Sequence, residues 1–152
     1  MRTTRRYPPY PLRLLGALAL LGVGAVHIDQ YFAVYYDVVP VIGTLFVLNF
    51  AGAAAIALLL IAPTERVVDR LFGGGGALVV GILALSGVGL AIVSFVFLLI
   101  SESTVLFGFM EHGYRTAIVL SFVAEGATVV LLGSYLVALM AGGVEEPSRV
   151  PA

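Results

Sequence analysis

The chain has 152 residues, no Cys, no Trp and a formal net charge of −1, with 61% hydrophobic residues, 11% charged residues and a mean hydropathy of +1.09. A soluble domain usually carries about 25% charged residues, so a water-soluble globule is not expected. The lack of Cys excludes disulfides, thiolate metal sites and cysteine nucleophiles, and without a basic excess there is no nucleic-acid surface.

Residues 1–11 carry Arg2, Arg5 and Arg6 with Pro8, Pro9 and Pro11. Proline opposes an early helix, so this stretch reads as a loose tail. Four apolar runs follow, at about 12–30, 41–62, 77–100 and 116–140. Crossing the hydrocarbon core takes about 20 residues. The expectation is an all-α, transmembrane four-helix bundle in a single membrane domain spanning 1–152, closed by a polar tail at 142–152. The early arginines, the apolar stretch and the small residues Val23 and Ala25 also resemble a secretory signal. The first span is expected to be retained.

Between spans two and three, Pro63-Thr64 reads as a stop and a cap candidate. A short interfacial helix is expected from Glu65 to Phe72. Val67/Leu71 and Val68/Phe72 are spaced to face lipid, with Glu65, Arg66, Asp69 and Arg70 in water. The run Gly73 to Gly76 reads as a hinge. It lacks the Gly-Lys-Ser/Thr ending of a phosphate loop.

All eight basic residues are Arg. Arg2, Arg5, Arg6 and Arg13 precede span one, Arg66 and Arg70 follow span two, and Arg149 lies in the tail. The other two connections hold only Arg115, against Asp29, Asp37, Glu102 and Glu111. The positive-inside rule then places both termini in the cytoplasm, with the protein in the inner (plasma) membrane of a bacterium. The arginine-only basic set and the Ala, Gly and Val richness point to a high-GC genome.

The segments Leu18–Gly24 and Leu83–Gly89 match at six of seven positions. Two readings stand: chance among small apolar residues, or two parallel-repeat hairpins about an axis along the membrane normal. Helices in lipid associate through small residues. Ala19/Gly22/Ala25, Ala51/Ala55, Gly52–Ala55 and Gly87/Ala91 are the candidate seams, within the bundle or between copies.

Glu125 stands near the middle of span four, where a charged carboxylate costs about 2.5–3.5 kcal/mol on insertion scales. The bundle interior or protonation must offset this cost. Ser121, Glu125 and Thr128 share one helix face, and Asn49 lies at a matching depth in span two. With Ser94 and Ser86 of span three they form the expected intramembrane polar cluster. One reading is a proton- or ion-binding site; the other is an interhelical hydrogen bond that fixes register.

The outer face gathers His27, Asp29, Glu111, His112 and Arg115 as a polar rim. His27 and His112 beside carboxylates are ligand types for zinc or haem, but no spacing resembles a ligand motif, so no metal and no cofactor is expected. Seven of the sixteen aromatics, Tyr31, Phe32, Tyr35, Tyr36, Phe107, Phe109 and Tyr114, sit in the outer loops. They read as a headgroup belt or as the lid of a vestibule for an amphipathic ligand.

The segments His27–Tyr31, Val39–Asn49 and Phe109–Arg115 resemble those of small four-span membrane proteins of high-GC bacteria that carry no assigned activity. The resemblance covers most of the bundle and implies no mechanism. No nucleophile motif is visible, so the protein is not expected to be an enzyme. The leading expectation is an accessory, scaffold or lipid/ligand-binding role, with the bilayer, a second copy or a membrane subunit as partners and no nucleic acid. The alternatives are a proton- or ion-linked small transporter using Glu125, and a haem or metal-binding redox subunit using His27 and His112.

Overall fold

The computed structural model describes residues 10–33, 38–108, 110, 113 and 115–142. The described chain is five helices: α1 (Tyr10–Ala33), α2 (Pro40–Ile61), α3 (Thr64–Phe72), α4 (Gly76–Ser103) and α5 (Thr116–Gly142). All but α3 are long and apolar enough to cross a membrane, which makes this a multi-pass membrane protein. The four long helices form a ring in the order α1, α2, α4, α5. Such a ring is what two parallel hairpins would give, yet the echoed glycines differ in surroundings. A Cβ on Gly24 would lie 3.1 Å from Ala53, whereas one on Gly89 meets open space.

Helix α1 begins at Tyr10, inside the stretch read as a tail. Pro11 is tolerated because the first helical turn has no intrahelical N–H partners to lose. Arg13 is therefore inside the helix and 5% exposed. Its Nη1 donates to Glu65 Oε2 at 2.8 Å and its Nη2 to the Ala62 carbonyl at 3.3 Å.

The sequence pattern places Glu65 and Asp69 in water; the structure turns both inward. Glu65 pairs with Arg13, and Asp69 Oδ1 accepts the Gly76 N–H at 2.8 Å, satisfying one orphan donor of α4. Thr64 does not cap α3: its hydroxyl donates to the Leu59 carbonyl at 2.5 Å. The outward face of α3 carries Arg66 and Arg70 with Val67, Leu71 and Phe72. The joint to α4 turns on Gly73 (φ 75°) and Gly75 (φ 89°), which only glycine adopts freely. Gly76 must also stay bare, because a Cβ there would collide with the Glu65 backbone.

Packing is tightest toward the α3 end. Ala17, Leu20, Ala53, Ala57, Leu60, Val80, Ala84, Leu132 and Tyr135 form one buried cluster. Gly87 sits beneath Leu132 and Leu20, where an added Cβ would come within 2.9 and 3.0 Å. The seam of α2 is Ala53/Ala57, with the expected Ala51 and Ala55 exposed. On α1 it is Gly16, Ala17, Leu20, Val23 and Gly24, while Ala25 is exposed. In α4, Gly87 and Ala91 are buried as expected.

Candidate functional site

Toward the opposite end, where α1 leads to α2 and α4 to α5, a cavity of about 430 Å³ opens between the helices. Small residues zip the α3 half, whereas here Phe46, Leu98 and Ile118 keep the backbones apart. The lining is mostly apolar, with a few polar side chains placed among the hydrophobic ones, the usual composition of a small-molecule site.

The polar set starts at His27 on α1. Its Nδ1–H donates to the Val23 carbonyl at 2.8 Å, which leaves Nε2 as an acceptor. The ring packs edge-on against Phe46 at 5.1 Å. One turn on, buried Gln30 donates from Nε2 to Asp29 Oδ2 at 3.1 Å, and its Oε1 has no partner among the described residues. Asn49 of α2 donates from Nδ2 to Ser94 Oγ of α4, bridging the two helices, while its Oδ1 is buried and unpartnered. Ser101 and Ser121 are buried on the cavity wall, Ser101 donating to the Leu98 carbonyl at 2.8 Å. Arg115 lines the cavity near its mouth.

Glu125 lies one turn, about 6 Å, further along α5 than Ser121. It is 1% exposed, and neither carboxyl oxygen has a hydrogen-bond partner among the described residues. Thr128, the next residue of that stripe, donates to the Ala124 carbonyl at 2.8 Å. The interhelical hydrogen bond anticipated for Glu125 is instead made by Asn49 and Ser94.

Of the anticipated polar cluster, Asn49, Ser94 and Ser121 come together on the cavity wall. Glu125 is buried one turn beyond Ser121, and Ser86 is exposed on the outside of α4, away from the cluster. Of the anticipated rim, His27 and Arg115 line the cavity and Asp29 is exposed beside Gln30. Glu111 and His112 lie outside the described residues, as do Tyr35, Tyr36, Phe109 and Tyr114. In the second loop Leu106 lines the cavity, while Val105 and Phe107 are 62% and 52% exposed. Gln30 and Ser101 were missed. Gln30 is the polar residue one turn beyond His27, and that spacing was the available signal. Among the described residues no three His, Asp or Glu side chains gather as metal ligands would.

Compared with known protein families, with curated proteins and with solved structures, the chain matches none.

Proposed function

We propose that this is a ligand-binding protein of a bacterial plasma membrane, with both termini cytoplasmic and the cavity in the outer half of the bilayer. Its ligand is amphipathic: an apolar body with a hydroxyl- or amine-bearing head. One observation carries the reading. The apolar cavity of about 430 Å³ presents acceptors beside Arg115 and Ser121: His27 Nε2 lines it, and Gln30 and Asn49 on its wall each hold an oxygen without a partner among the described residues. Buried acceptors without partners cost free energy, and a ligand that supplies donors removes that cost. The role is non-enzymatic, and the bilayer is the source of the ligand.

Native mass spectrometry of the full chain released from mild detergent tests this. Gly89 lines the cavity, and a Cβ there meets open space, so Gly89→Leu adds bulk at the cavity wall without a Cβ clash. The wild type is expected to retain one more lipid-sized adduct than Gly89→Leu does. Equal retention by both, or by neither, refutes the reading.

A second reading rests on Glu125, one helical turn from Ser121 of the cavity wall, whose two oxygens are buried without partners among the described residues. Protonation is the economical way to hold such a group in the interior, and this supports proton-linked release or transport of the ligand. Acid-driven flux in proteoliposomes that survives Glu125→Gln would eliminate it.

A further inference from the structure

At the α3 end a second cavity, of about 260 Å³, opens between α1, α3, α4 and α5. Its polar side is Tyr10, Arg13, Glu65, Arg66 and Tyr135. Val80 and Leu139 form part of its apolar side. Arg13 is held rigidly, paired with Glu65 at 2.8 Å and lying 5.0 Å from the Tyr10 ring centroid. A guanidinium offers five N–H donors, and Arg13 Nε is buried without a partner among the described residues. Arg66 is exposed and forms no ion pair among the described residues. Two guanidiniums against the one Glu65 carboxylate leave the cavity with one net positive charge (2 − 1 = +1).

The surrounding surface suits a headgroup. On α3, Val67, Leu71 and Phe72 are 51%, 69% and 78% exposed beside Arg66 and Arg70. An amphipathic helix of this kind lies at the boundary of headgroups and acyl chains. Basic cavities between membrane helices recognise anionic headgroups, and one arginine near an anionic surface contributes about a fivefold affinity factor.

We infer that this cavity binds a phosphate group, that of an anionic lipid lying with its acyl chains against Leu139. Arg66 and Arg13 Nε hold the phosphate and the Tyr135 hydroxyl donates to it. Glu65 positions Arg13 and at the same time competes with the ligand for it.

That competition makes the test directional. Full-length protein in mild detergent is offered phosphatidylglycerol and phosphatidylcholine together, and bound lipid is read by native mass spectrometry. The wild type is expected to retain phosphatidylglycerol in preference. Arg66→Gln should lower that preference about fivefold, and Glu65→Gln should raise it by releasing Arg13. Gly89→Leu should leave it intact, which separates this site from the larger cavity. Displacement by inorganic phosphate would assign the site to the free anion; failure to displace would assign it to the lipid. Equal retention of the two lipids, or an unchanged preference in Arg66→Gln, overturns the proposal. Arg66 is exposed, so that variant decides the matter even if Glu65→Gln fails to fold.

Discussion

Replacing Glu125 by leucine should make this protein more stable. The carboxyl is 1% exposed and both its oxygens lack partners among the described residues. A buried polar group without a hydrogen bond costs about 1–3 kcal/mol. Leucine removes that cost and adds apolar contact, while glutamine keeps a polar group of the same shape. Glu125→Leu is therefore expected to gain about 1–3 kcal/mol and Glu125→Gln to stay within about 0.5 kcal/mol of wild type. For a chain of this length that gain raises Tm by about 2–12 °C, read by thermal unfolding in a fixed detergent. A Tm for Glu125→Leu that falls by a similar amount, with Glu125→Gln falling too, would refute the argument, because a lost hydrogen bond or ion pair would then be the common cause. A stability gain joined to loss of acid-driven flux would mark a group kept for function against folding.

The remaining predictions concern packing and the short helix. A Cβ on Gly16 would lie 2.5 Å from Leu132 Cδ2 and 3.2 Å from the Leu132 backbone nitrogen. Side-chain rotation relieves the first contact but not the second, so Gly16→Ala should cost about 1–3 kcal/mol. Gly126→Ala, with open space around its Cβ, is the control that should not lower Tm. Asp69→Ala removes the acceptor of the Gly76 N–H and should cost about 1 kcal/mol. It should also open the Gly73–Gly76 joint to limited proteolysis faster than in wild type.

The spans were legible because the bilayer imposes length and hydrophobicity on each of them, and neither property needs a partner helix. Which face each helix turns inward was not. In α2, Ala51/Ala55 and Ala53/Ala57 have the same i,i+4 spacing, yet only the second pair is buried. In water the apolar face would mark the core; here lipid and core are equally apolar, and the phase of the helix leaves no trace in composition. For the same reason Ser86 looked equivalent to Ser94, though it lies on the outside of α4. Asn49 and Glu125 were legible because a polar group at that depth must turn inward. The Arg13–Glu65 pair was not: the two residues lie 52 positions apart, and arginine near a span's start normally reports orientation rather than burial. Helix α3 was found through its alternation of charge and apolar side chains, but the inward turn of its two carboxylates depends on Arg13 and Gly76, which belong to other helices.

Zipped through its middle, with the larger hollow away from α3, the bundle is shaped like a clothes peg. Leu20, Gly87 and Leu132 are its pivot, and a guest entering the hollow would spread the far tips of α2 and α4 without disturbing the Arg13–Glu65 clasp. Paired spin labels at Val41 and Phe97 would see that spreading; a pair at Arg70 and Met140 would stay silent.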